Sequence, residues 1–174
     1  RPRRVSGRRR RYPNLGRGGP WQDVGVSIQD TWFPEMKCFC CGPANPDGLQ
    51  LKSLAEGEWG ATATFLPWPQ HDNGLGYLNG GIIATLLDCH SAAAVVHVAH
   101  GHGWPPLAGA ALPYVTAGLD VRYRRPAPLA EPVSLLAEVT AADENEMTCQ
   151  VRLEWDGKLR AEGTAVWKRW RPRT

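Results

Sequence analysis

The segment from Ile82 to Ala99 constrains this chain more than any other. It reads Ile82, Ile83, Ala84, Thr85, Leu86, Leu87, Asp88, Cys89, His90, Ser91 and then five apolar residues, Ala92 to Val96. Apolar side chains cover most of its circumference, so a helix here has to be enclosed by other structure. One carboxylate, Asp88, stands in its middle. An unpaired buried carboxylate is costly, so its charge must be paired, hydrogen-bonded or neutralised. Three and four residues away lie Thr85, Ala84, Ser91 and Ala92, none of them a cation. Two turns upstream, Asn79-Gly80-Gly81 supplies helix N-terminal N–H groups for a developing oxyanion. A poised carboxylate with a helix-end anion site points to hydrolysis at a carbonyl. The competing reading is a structural Asp held by Thr and Ser hydroxyls.

After the helix the apolar period becomes two. Leu119, Val121 and Tyr123 alternate with Asp120, Arg122 and Arg124. Val133, Leu135, Ala137 and Val139 follow, then Met147, Cys149, Val151, Leu153 and Trp155, and last Ala161, Gly163, Ala165 and Trp167. Asp156-Gly157 is a two-residue hairpin signal. Before the helix, Leu49–Ala55 and Ala61–Leu66 read as strands, and Pro67–Leu78 as a loop rich in Pro, Asn and Gly. Strands with one wet and one buried face belong to antiparallel sheets, and short connections favour pairing of consecutive strands. The expected fold is α+β, an antiparallel sheet of about six strands wrapped around one long central helix.

The 174 residues suit one domain with a tail. Seven arginines fall in the first eleven residues, and without them the net charge of +3 becomes −4. The basicity therefore belongs to the tail, which argues against a nucleic-acid-binding fold. Residues 1–30, rich in Arg, Gly and Pro, are expected to be a disordered tail with a short helix near Val24 to Gln29; residues 31–170 form the domain. The tail lacks the apolar core of a secretion signal. No long apolar run is free of polar residues, so no membrane span is expected. Five cysteines, three of them clustered at Cys38, Cys40 and Cys41, do not make a secreted disulfide framework and imply a reducing, cytoplasmic compartment. Cys38 and Cys41 have the spacing of one zinc half-site, but no second cysteine pair follows. His71, His97, His100 or His102 would complete a site only by tertiary coincidence, so no metal is expected.

These residues together resemble the hotdog-fold acyl-CoA thioesterases of the phenylacetyl-CoA, or PaaI-like, type. The resemblance runs from about Cys38 to Trp167. It centres on Asn73, then Asn79-Gly80-Gly81 after five residues, then Asp88 after six more. The lead-in Cys38, Cys41, Gly42, Asn45, Pro46, Gly48, Leu49 adds to it, as do Thr116, Asp120, Tyr123 and Pro126 after the helix. One departure stands out: Asn79 takes the place of a family His. The resemblance implies that Asp88 acts as general base or nucleophile, and that the Gly80 N–H and the Asn73 side chain hold the oxyanion. Thr116 would orient Asp88 or the water, and Asn79 would support the oxyanion geometry. Gly81 would join substrate binding, while Arg122, Arg124 and Arg125 could meet CoA phosphates. Gly80 and Asp88, eight residues apart, stand about 12 Å apart along a helix and cannot readily serve one carbonyl. The implied assembly is a homodimer, or dimer of dimers, with shared sites, acting on an acyl-CoA or aroyl-CoA without a cofactor. A noncatalytic acyl-CoA or lipid-binding hotdog protein is the alternative. A hydratase fits less well, because Asn73 and Asn79 stand where an Asp and His pair would be wanted. His90, on another helix face, reads as a core histidine.

Overall fold

The computed structural model describes residues 25–172. Within them the order is α1 (Ile28–Trp32), β1 (Ser53–Glu56), β2 (Gly60–Phe65), a 3-10 turn at Pro69–His71, α2 (Gly80–Gly101), β3 (Tyr114–Tyr123), β4 (Val133–Ala142), β5 (Glu146–Trp155) and β6 (Lys158–Arg169). The six strands form one antiparallel sheet in the order β1-β2-β4-β5-β6-β3. It wraps around α2, which packs against every strand. This is the hotdog arrangement expected from the sequence.

The alternating residues face the helix as their period requires. Val133, Leu135, Ala137 and Val139 of β4 are buried, as are Met147, Cys149, Val151 and Leu153 of β5, and Ala161, Ala165 and Trp167 of β6. The β5–β6 hairpin turns on Asp156 and Gly157, both at positive φ (52° and 62°), the backbone that Asp-Gly favours. α2 is long and apolar enough to cross a bilayer, yet 67% of its most apolar stretch is buried inside the fold.

Three details differ from the expectation. First, β3 does not pair with β4, its neighbour in sequence. It crosses to the far side of β6 and becomes a sheet edge, so Leu119 and Val121 are only half-buried and Tyr123 is exposed. Second, the short N-terminal helix is α1, which begins at Ile28 rather than Val24; Ser27, Ile28 and Gln29 are buried, so packing begins before residue 31. The rest of the supposed tail, residues 1–24, lies outside the described residues. Third, β1 begins at Ser53, because Leu49 and Leu51 instead bond back to the Phe39 and Cys40 carbonyls.

α1 is tied to α2 by a buried polar chain. Ser27 caps α1 through a bond from the Asp30 N–H. The Gln29 amide donates to the Ser53 hydroxyl and accepts from the Ser53 N–H, at 3.1 and 2.8 Å. The Ser53 hydroxyl donates to Nδ1 of His90 at 2.9 Å, and Nε2 donates to the Ala61 carbonyl at 3.1 Å. Burial drives the His90 pKa down to about 4, so the ring is neutral, a core histidine with both nitrogens satisfied.

Candidate active site

Asp88 lies in the middle of α2 and is half-buried. The hydroxyls on its own helix do not hold it. Thr85 donates to the Gly81 carbonyl and Ser91 to the Asp88 backbone carbonyl. The partner comes from β3: the Thr116 hydroxyl donates to Asp88 Oδ1 at 2.9 Å. Among the described residues no Lys, Arg or His forms an ion pair with Asp88. Desolvation raises its pKa above the ordinary carboxylate value, with the Thr116 hydrogen bond opposing and nearby Cys38 assisting. A carboxylate with a raised pKa and no cation is disposed to take up a proton.

A β-bulge places Thr116. Thr116 faces Trp167 across the sheet and Leu119 faces Ala165, with the register shifted between Thr116 and Gly118. Strict alternation would put residues 116 and 119 on opposite faces. The extra residue lets both face the helix.

The helix N-terminus is built by Asn79. Its side-chain oxygen accepts from the Gly81 N–H at 2.8 Å and the Ile82 N–H at 3.4 Å, while its own N–H goes to the His71 carbonyl. Asn79 is thus the N-cap, and its oxygen is committed to the backbone. The Gly80 N–H has no acceptor among the described residues and stands at the positive end of α2. Gly81 is exposed, with its N–H spent on the cap. Asn73 orders the loop before the helix: its Oδ1 accepts from the Leu75 and Tyr77 N–H groups, at 2.8 and 3.3 Å. With the oxygen so fixed, its NH2 is the end left to donate outward.

Tyr123 has a role that its sequence position alone does not assign. Its ring packs against Gly80, and its hydroxyl donates to the Gly80 carbonyl at 2.8 Å. The contact steadies the first helical residue from β3, the strand that also supplies Thr116. Its place at the end of the alternating run Leu119, Val121, Tyr123 is the signal that points to it.

The three arginines do not gather at Asp88. Arg122 points to the outer face of the sheet, 3.7 Å from the Asp120 carboxylate; Arg124 pairs with Glu162; Arg125 bonds the Leu159 carbonyl at 3.2 Å. Two open concavities of about 780 and 610 Å³ lie on that outer face, around Arg122 and Gln150 and around Trp59 and Glu138, and Asp88 lines neither. Among the described residues, the side chains grouped closely enough to hold a metal are three cysteines. Cys89, next to Asp88 on α2, meets Cys38 and Cys41, so the half-site that lacked a partner in sequence finds one in space.

Fold and site define a hotdog protein with a carboxylate on its central helix and a free N–H at that helix's start. The chain belongs to the thioesterase superfamily, whose family model matches residues 75–161. Over 104 residues it is 30% identical to the acyl-coenzyme A thioesterase THEM4 of Xenopus laevis, spanning 59% of this chain and 41% of that relative. Among solved structures, a thioesterase superfamily protein from Shewanella loihica PV-4 matches with a TM-score of 0.55 and 28% identity, over 74% of this chain and 98% of that one. The PaaI protein from the phenylacetic acid degradation operon of E. coli matches with a TM-score of 0.59 and 17% identity, over 70% of this chain and 80% of that one. The chain is therefore a PaaI-like hotdog protein by fold.

Proposed function

We propose that this protein hydrolyses an acyl-CoA or aroyl-CoA thioester to free acid and CoA. The observation that carries the reading is Asp88, desolvated, without a cation partner among the described residues and held by the Thr116 hydroxyl. In the proposed reaction the thioester carbonyl lies against the Gly80 N–H and the Asn73 NH2, which stabilise the oxyanion. Asp88 takes a proton from water as that water attacks the carbonyl. Collapse of the tetrahedral intermediate breaks the C–S bond, and the CoA thiolate leaves. Attack by Asp88 itself, through an anhydride, uses the same geometry; ¹⁸O entering Asp88 in a single turnover would distinguish it.

The site is proposed to be shared between two copies. Gly80 and Asp88 stand about 12 Å apart along one helix, too far to serve one carbonyl. Antiparallel pairing of α2 with its copy brings Gly80 of one chain near Asp88 of the other. The exposure of Leu75 (78%), Tyr77 and Tyr123 beside the helix start supports a covering partner. So does β3, whose outer edge has no partner strand among the described residues.

The test is thiol release across a panel of acyl-CoA substrates, followed by subunit mixing. Asp88→Asn chains mixed with Asn73→Ala chains recover activity if the site is shared, because a mixed dimer has one intact site. No recovery after demonstrated exchange would remove the shared site but leave hydrolysis standing. The second reading, an acyl-CoA-binding protein without turnover, is favoured by one observation: Asn79 stands where the family has His, with its oxygen used as a cap. Tight binding without thiol release would establish it.

A further inference from the structure

Three sulfurs that the proposed chemistry does not use converge beside the site. Cys38 and Cys41 lie in the lead-in turn and Cys89 in the middle of α2. All three Sγ atoms fall within 4.8 Å of one another, with Cys38 and Cys89 3.6 Å apart. All three are free thiols. A tetrahedral cation with Zn–S bonds of about 2.3 Å holds its sulfurs about 3.8 Å apart. The cluster therefore needs only small side-chain adjustments to become a ligand set. Cys41 and Cys89 are buried, and Cys38 is half-buried on the open side.

The backbone is shaped to present these sulfurs. The Gly42 N–H closes on the Cys38 carbonyl at 3.0 Å. A Cβ at residue 42 would lie 2.3 Å from the Cys38 nitrogen and 2.5 Å from the Met36 carbonyl oxygen, so only glycine permits this turn. The Phe39 and Cys40 carbonyls are held from behind by the Leu49 and Leu51 N–H groups, at 2.8 and 2.9 Å. Thiols are weak donors and weak acceptors, so their mutual attraction gives little reason for three to meet. A divalent cation gives a strong one.

We propose that Cys38, Cys41 and Cys89 bind one zinc ion that clamps the lead-in turn to the middle of α2. Each thiol that ligates gives its proton to the buffer; nothing is oxidised or reduced. The fourth position is left for solvent. Because Cys89 directly follows Asp88, the clamp fixes the rotation of the helix turn that carries the carboxylate.

The test uses the full chain, kept in a phosphine reductant, stripped with a chelator and titrated with zinc chloride against a chromophoric chelator. One zinc per chain is expected, bound much more tightly than micromolar. In the wild-type protein, bound zinc protects Cys38, the half-buried thiol of the three, from N-ethylmaleimide, read by peptide mass spectrometry. This readout needs no variant to fold. Cobalt(II) in place of zinc gives strong sulfur-to-metal charge-transfer absorption. Cys41→Ser and Cys89→Ser lose the stoichiometric uptake, and Cys149→Ser keeps it. Absence of stoichiometric uptake by the reduced wild-type chain, or uptake that leaves Cys38 as reactive as before, would overturn the site. A Cys38–Cys89 disulfide in air, with no zinc uptake under reductant, would also overturn it and assign the cluster to redox chemistry.

Discussion

Asp88→Asn separates a poised base from a structural carboxylate, because the two roles predict opposite costs. Asparagine keeps the shape and still offers an oxygen to Thr116, now 2.9 Å from Asp88 Oδ1. What is lost is the charge-assisted part of that bond. Charged hydrogen bonds are worth about 1.5–3 kcal/mol and neutral ones about 1, and Thr116 is exposed, so the loss is about 1 kcal/mol at most. What is gained is relief from desolvating a charge. Net stability at pH 8 should be equal to wild type or higher, and any fall in Tm should stay within about 4 °C. The pH dependence has a definite sign. The folded pKa of Asp88 is raised above 3.8, so folding favours its protonated form. That contribution is fully present below the unfolded pKa and is lost as pH rises through the folded pKa. The stability difference, variant minus wild type, should therefore be flat at low pH and rise in favour of Asn across that window. Turnover should fall by about 10² or more, a barrier increase of about 2.7 kcal/mol. Calorimetry from pH 3.5 to 8, with thiol release at pH 8, measures both. A variant that is much less stable at pH 8 would refute the reasoning, since it would show that the carboxylate stabilises the fold through a partner.

Three further outcomes follow from the geometry. Thr116→Val removes the bond that lowers the Asp88 pKa, so the acid limb of the kcat/KM profile should move to higher pH while the Tm changes little. Ser53→Ala leaves the Gln29 amide and His90 Nδ1 without partners in a buried place, at about 1–3 kcal/mol each, and should lower the urea midpoint strongly while sparing activity at 25 °C. Tyr123→Phe frees the Gly80 carbonyl and should reduce kcat more than it raises KM, read from steady-state kinetics with one acyl-CoA.

The sequence is most readable where one period governs a whole element. The buried rows at 133–139 of β4, 147–153 of β5 and 161–167 of β6 follow period two, and Asp156-Gly157 marks its hairpin because few other residues take two positive φ angles in succession. Strand order is less readable. The crossing of β3 to the far side of β6 depends on what the sheet must cover, not on connection length, and only the weaker burial of Leu119 and Val121 records it.

At the site, legibility depends on whether a residue is placed by its neighbours in sequence or by a distant segment. Asn79, Gly80 and Asp88 are placed by their own helix, so their spacing alone fixes their relation. Thr116 is placed by a bulge: alternation from Leu119 back along β3 would point it outward, and the one extra residue reverses that. Cys89 is harder still, since its partner Cys38 lies 51 residues away and nothing along the chain links them. A half-site with no partner in sequence is weak ground for excluding a metal when the central helix carries a cysteine of its own. The same reasoning applies to the substrate pocket. The described residues of one chain leave the carboxylate on α2 half-buried, and the shared site proposed above would be completed across the exposed helix start and the edge strand β3.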